Sequence, residues 1–193
     1  MSKILVFTMG KVGSSSVIHA LITAGNEVDR AYEENANELF LATDYDAIYT
    51  LVRDPIARNI SYFFEKYGMQ ILQENNKMEV VMKSFMDDID HSYPLTWFDR
   101  IFFPSVGLNV YKYKFPPGGP LFLGKVCILR TDQMKDEHRA ETETTRPYGS
   151  IYHAFKEFAR FPESYLQGVY ESKFVRHFFT TKEIADLYER WIE

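Results

Sequence analysis

One cysteine, Cys127, stands alone in 193 residues. It has no partner for an internal disulfide, so a stapled secreted scaffold is excluded, and a reducing, cytoplasmic setting is the expectation. Long apolar runs are lacking as well: none approaches the roughly 20 residues that span a bilayer. The short apolar run after Met1-Ser2-Lys3 is too brief for a signal peptide and reads as a first strand. Positive charge is in deficit. With 22 Lys and Arg against 27 Asp and Glu, the net charge is −5, which argues against a general nucleic-acid binder. Metal-ligand patterns are missing too: there is no HExxH, no paired Cys and no EF-hand loop, and His138, His153 and His177 lack ligand spacing. Neither a Gly-x-Ser-x-Gly elbow nor an internal repeat occurs.

What is present is a globular composition. Hydrophobic residues make up 46%, enough to bury a core, and the length suits one domain over residues 1–193. Lys3-Ile4-Leu5-Val6-Phe7-Thr8 reads as a buried strand, followed by a Gly10/Gly13 loop and a helix from Ser14 to Ala24. Gly25-Asn26 closes that helix. A second strand is expected over 27–32 and a third over 46–52. Asp54-Pro55 then caps and opens a helix running to about Tyr67. From Met69 to Pro104 the pattern is helical, with a break near Tyr93-Pro94. Val110 to Phe115 alternates and predicts an exposed strand, Pro116 to Pro120 a turn, and Lys125 to Arg130 a buried strand. Residues 136–146 are polar and expected to be exposed. The final third is helical, with a Thr180/Glu183 capping box ahead of Ile184, Leu187, Tyr188 and Trp191. Strands alternating with helices imply an α/β fold with a mainly parallel central sheet and helices on both faces. Ligands of such sheets sit beyond the carboxyl ends of the strands.

Two segments fall at such ends. The first is Thr8-Met9-Gly10-Lys11-Val12-Gly13-Ser14-Ser15-Ser16. Its glycines permit a tight turn with backbone amides facing an anion, the following helix contributes its N-terminus, and Lys11 brings a full charge. The order differs from Gly-x-x-x-x-Gly-Lys-[Ser/Thr]: Lys11 precedes Val12 and Gly13, so the magnesium-holding hydroxyl is not beside it. An anion site without obligatory metal fits better than a Mg-ATP site, and an ordinary βα turn with a serine-capped helix also suits the same residues. The second segment is Arg53-Asp54-Pro55-Ile56-Ala57-Arg58-Asn59-Ile60-Ser61. Helical spacing puts Arg58 and Ser61 on one face, where an arginine fork and a hydroxyl can grip a phosphate. Arg53 could equally pair with Asp54 or a helix end.

Taken together and in this order, the two segments resemble the PAPS-dependent sulfotransferase family, where PAPS is 3′-phosphoadenosine 5′-phosphosulfate. Lys11, Gly13 and Ser14 match that family's Lys-x-Gly-[Ser/Thr] loop, with Gly10 in place of its usual proline. Arg53 and Ser61 match its Arg and Ser eight apart, and Arg130-Thr131-Asp132-Gln133-Met134 is similar to its Arg-Tyr-Glu-Asp-Leu stretch. Trp97-Phe98-Asp99, Gly107 to Tyr111 and Ser172 to Phe178 resemble bacterial capsular polysaccharide synthesis proteins, a divergent sulfotransferase-like branch. The resemblance covers nearly the whole chain and implies a three-layer P-loop-type fold.

It also implies transfer of the sulfuryl group of PAPS to a hydroxyl of a carbohydrate or similar acceptor, with adenosine 3′,5′-bisphosphate as product and no metal. Lys11 would stabilise the leaving group. Gly10, Lys11, Val12, Gly13, Ser14, Ser15 and Ser16 would hold the 5′-phosphate, and Arg53 with Ser61 the 3′-phosphate. The family's general base often follows the second strand, which points to Glu33 and then Glu34. His91 and His19 are the imidazole alternatives. Trp97, Phe98 and Phe102 suit either an acceptor groove or, more often at helical spacing, the core. Two rival readings remain: a P-loop kinase of a small metabolite, and a non-catalytic PAPS- or bisphosphate-binding protein.

Overall fold

The computed structural model describes residues 1–134 and 146–192. In chain order the elements are β1 (Lys3–Phe7), α1 (Ser14–Thr23), β2 (Glu27–Ala31), α2 (Ala36–Ala42), β3 (Ala47–Val52), α3 (Pro55–Glu74), α4 (Met78–Asp88) and α5 (Tyr93–Trp97). A π-helical turn (Phe98–Phe102), α6 (Phe103–Val106), a 3-10 turn (Val110–Lys112), β4 (Leu121–Leu123), β5 (Val126–Arg130) and a second 3-10 turn (Thr131–Gln133) follow. The chain then runs through α7 (Gly149–Phe158), α8 (Glu163–Tyr170), α9 (Lys173–Phe178) and α10 (Thr181–Trp191). The expectation for residues 136–146 lies outside the described residues except at Arg146. Contacts gather the described residues into two compact units, one drawn from Met1–Arg53 and Thr96–Asp136, the other from Asp54–Leu95 and Glu137–Glu193.

The first unit holds a five-stranded sheet in the order β2-β1-β3-β5-β4. The pairs β1/β2, β1/β3 and β3/β5 are parallel, and β4 is antiparallel to β5. The unit is therefore α/β with a mostly parallel sheet. Central strands in such a sheet are covered on both faces and read as near-continuous apolar runs, as Ile4-Leu5-Val6-Phe7 does; in β3 Ile48, Leu51 and Val52 are buried with the polar Thr50 among them. The outer strand β2 carries Glu27, Asp29 and Arg30 instead, which suits an edge. Phe7 is packed by Phe40, Trp97 and Phe102, with ring centroids 5.7, 5.2 and 5.8 Å away. Trp97, Phe98 and Phe102 are thus core residues. The chain leaves β1 toward β2 on one side and returns to β3 on the other. The carboxyl ends of β1 and β3 therefore flank the point where strand order reverses, the usual place for a ligand.

The ends of α1 follow from its sequence. Gly13 precedes it in the left-handed region at φ 83°. At the other end Gly25 adopts φ 84°, its amide bonding Ile22 O while the Asn26 amide bonds Leu21 O, a paired closure that absorbs two last-turn carbonyls.

The second unit is helical. Asp54 caps α3 by accepting from the Ile56 and Ala57 amides, with Pro55 at the first helical position. Two extents differ from expectation. α3 continues past Tyr67 to Glu74, because Gly68 lies inside it: a Cβ there would come within 2.6 Å of the Tyr148 ring, so this glycine makes room for a ring and does not end the helix. The helical break falls over 89–92, where Asp90 accepts from the Ser92 amide, and Tyr93 opens α5. Phe63, Phe64, Phe85 and Phe155 form the aromatic core shared by α3, α4 and α7. Asp54 is buried and also accepts from Tyr170 Oη (3.1 Å) and Trp191 Nε1 (3.2 Å). Burial pushes its carboxyl above the ordinary range, while these four donors pull the other way. The capping box of Thr180 and Glu183 opens α10 as its sequence predicts. No helix among the described residues is long and apolar enough to cross a membrane.

One expected strand is absent. Residues 110–112 form a 3-10 turn capped by Asn109, whose side chain accepts from the Tyr111 amide, and no strand covers Val110 to Phe115. An unexpected strand, β4, follows the Pro116 to Pro120 turn and pairs with β5.

Candidate functional site

The loop between β1 and α1 is a run of unusual backbone. Gly10, Lys11 and Gly13 all have positive φ, at 74°, 61° and 83°. For Lys11 this is the sparsely populated left-handed region, a conformation found for a non-glycine residue where surroundings enforce it and often at functional sites. Four contacts enforce it here. Val12 is fully buried and plugs the loop into the core. Thr8 Oγ1 accepts from the Gly10 amide at 3.4 Å. Arg53 Nη1 donates to Lys11 O at 3.0 Å. Thr131 Oγ1 donates to Val12 O at 2.6 Å. The first segment and Arg53, the opening residue of the second, therefore meet inside the first unit, at the carboxyl ends of β1 and β3.

Around that loop, Ser14 is buried and Ser15 is exposed. Gly13 offers no side chain to cap α1, so its first-turn amides receive no N-cap bond from that residue. Arg30, one residue from the end of β2, donates to Ser15 Oγ (3.2 Å) and to Tyr32 Oη (3.4 Å). The Tyr32 ring stands 3.8 Å from where a Cβ on Gly10 would lie. Glu33 and Glu34 are exposed on the turn that follows β2, and Asn35 fixes this turn by accepting from the Tyr32 amide at 2.7 Å and donating to Arg30 O.

Arg53 is 9% exposed and follows β3 directly. Arg130 ends β5, is 2% exposed and is ion-paired to Asp132 through Nε and Nη2. It is thus a neutralised pair and not a loose cation. Sequence reasoning gave Thr131, Arg30 and Tyr32 no role of their own. The first acts across 119 positions of chain, so no local signal marks it. Arg30 and Tyr32 could have been suspected only from their place at the carboxyl end of an edge strand.

In the second unit Ser61 is half-buried on α3. Arg58 is 4% exposed, with its guanidinium 4.9 Å from each of the Tyr62 and Tyr93 rings and donating to Asn59 Oδ1. This stacked position makes it a packing residue of the second unit. His91 is also committed: Nε2 pairs with Phe85 O at 3.0 Å and Nδ1 with Tyr165 Oη at 2.8 Å. A carbonyl can only accept, so Nε2 carries the proton and Nδ1 accepts from the phenol. Burial holds the His91 pKa below the ordinary imidazole range. His19 is exposed on α1.

A cavity of about 370 Å³ opens at the other end of the sheet, where Ile48 and Lys125 mark the amino ends of β3 and β5. It includes none of the predicted site residues. Among the described residues, no three His, Cys, Asp or Glu side chains converge as a metal cluster would. Comparison of the chain with family models, curated proteins and solved structures gave no match, so no family is assigned and function is argued from the site itself.

Proposed function

We propose that this chain binds PAPS through the loop of residues 8–16 together with Arg53, and transfers its sulfuryl group to a hydroxyl of a carbohydrate or similar acceptor. The observation that carries the reading is the bond from Arg53 to the Lys11 carbonyl, which joins a cation at the end of β3 to a left-handed, glycine-bearing loop at the end of β1. Backbone of this kind beside a helix start suits a phosphate. Two cations at adjacent strand ends suit a ligand with anionic groups at both ends. The parallel strands and their reversal between β1 and β3 support the P-loop type of α/β architecture.

In this reading Lys11 stabilises the charge that grows on the leaving phosphate. The amides from Val12 to Ser16, with the Ser14 and Ser15 hydroxyls, hold the 5′-phosphate, and Arg53 holds the 3′-phosphate. The acceptor oxygen bonds to sulfur, the sulfur–oxygen bond to adenosine 3′,5′-bisphosphate breaks, and the acceptor proton passes to Glu33 or Glu34. The exposed turn that Asn35 fixes supports the carboxylates over His91, whose two nitrogens are already engaged. Ser61 enters on its spacing from Arg53 in the sequence.

Calorimetric titration tests the reading. Adenosine 3′,5′-bisphosphate should bind wild type, and Arg53→Ala should lose about 2–5 kcal/mol of that affinity, as a buried charged contact does. Unchanged affinity in Arg53→Ala sinks the assignment. Stabilisation by Mg-ATP but not by the bisphosphate would favour the kinase, and firm binding with no transfer to any acceptor would favour a binding protein.

A further inference from the structure

Two successive carbonyls of the loop, those of Lys11 and Val12, are each held from outside it. Arg53 Nη1 holds the first at 3.0 Å and Thr131 Oγ1 holds the second at 2.6 Å. Thr131 is 3% exposed and follows β5 directly, and its Oγ1 also lies 3.0 Å from the carbonyl of Val52, the last residue of β3. A hydroxyl has one proton, so the two carbonyls share it. One side chain thereby ties the β1 loop to the carboxyl ends of β3 and β5. Its methyl group closes the remaining space beside the loop: a Cβ on Gly13 would stand 3.1 Å from Thr131 Cγ2.

A trans peptide unit points its C=O and its N–H in opposite directions. Anchoring the Lys11 and Val12 carbonyls outward therefore turns the amides of Val12 and Gly13 the other way. That is the orientation an anion cradle requires, set before any anion arrives.

The geometry points to Thr131 as a positioning residue of the anion loop: with Arg53, it fixes the direction of the Val12 and Gly13 amides without itself meeting the ligand. Arg53 consequently has two duties, since one Nη holds the loop whatever its other nitrogens hold. The nature of the ligand rests on the PAPS reading; the role of Thr131 in the loop does not.

Thr131→Val keeps the shape and removes the donor, and Thr131→Ser keeps the donor and removes the methyl. Amide hydrogen exchange without ligand gives the first readout. Residues 10–14 should exchange at least about tenfold faster in Thr131→Val, the loss of one buried hydrogen bond. Thr131→Ser should match wild type, and exchange at Val17 to Leu21 on α1 should be unchanged. Calorimetry gives the second. Thr131→Val should bind adenosine 5′-phosphate about tenfold more weakly and adenosine 3′-phosphate within about twofold of wild type, whereas Arg53→Ala should lose both. Unaltered loop exchange overturns the proposal, as does acceleration spread through α1 or an equal loss for both nucleotides. If wild type binds neither nucleotide, the PAPS reading fails, and loop exchange alone then decides the case of Thr131.

Discussion

Lys11 places a full charge on a backbone that its own Cβ disfavours, so stability and binding should separate there. Its φ is 61°. A side chain in that region costs about 1–2 kcal/mol. Lys11→Gly removes this cost, and glycine's greater freedom in the unfolded chain takes back about 0.4–1 kcal/mol. The net expectation is a gain of roughly 1 kcal/mol, or about 2–4 °C in Tm for a chain of this size. The same substitution deletes the ammonium group. At about 2–5 kcal/mol for a buried charged contact, affinity for adenosine 3′,5′-bisphosphate should fall between about 30-fold and a few thousand-fold. Lys11→Ala is the matched comparison, since it loses the charge but keeps the Cβ. Scanning calorimetry and titration calorimetry on the three proteins give both quantities. A Lys11→Gly protein that melts no higher than Lys11→Ala refutes the strain argument, and one that binds the bisphosphate like wild type refutes the role of the charge.

Other expectations concern both units. Asp54→Asn should cost about 2–4 kcal/mol in denaturant unfolding, because an amide NH₂ would replace one oxygen and oppose donors such as the Trp191 N–H; an unchanged midpoint would show that the four donors find other partners. Glu33→Gln or Glu34→Gln should lower sulfuryl transfer by about 10²–10⁴-fold with bisphosphate affinity intact. Full turnover in both variants would remove the carboxylates from the mechanism. His91 has a folded pKa below its ordinary value of 6.5, so the unfolded chain takes up a proton first as pH falls. Its contribution to stability is present above about pH 6.5 and is lost on acidification from there toward the folded pKa. The stability difference between wild type and His91→Gln, followed by urea unfolding from pH 8 down to pH 5, should narrow as pH falls; a constant difference would contradict the assignment.

The sequence was most informative where structure is settled within a few residues. Gly25-Asn26, Asp54-Pro55 and the Thr180/Glu183 box each close or open a helix as their local chemistry requires. The apolar runs of β1 and β3 gave the parallel strands, and the loops after them gave the two halves of the candidate site. It was least informative where a distant side chain decides. The expected end of α3 near Tyr67 fell short, because Gly68 lies within the helix and makes room for the Tyr148 ring. Val110 to Phe115 alternates like a strand, yet the Asn109 side chain turns the chain into a 3-10 bend. Arg58 has the spacing of a phosphate ligand and the surroundings of a stacked core residue. Thr131 shows nothing in its neighbours of the carbonyls it holds, because those belong to a loop and a strand far away in the chain.

The lone thiol of Cys127 is 3% exposed on β5, and burial pushes its pKa up to about 11. In the closed protein it is both out of reach and protonated, so an alkylating reagent must wait for β5 to leave its place between β3 and β4. With a single cysteine in the chain, each molecule can be marked only once and at that one strand. The rate of mass gain under native conditions is then a direct clock for opening of the strand that carries Thr131 at its end, and any ligand that tightens the loop should slow it.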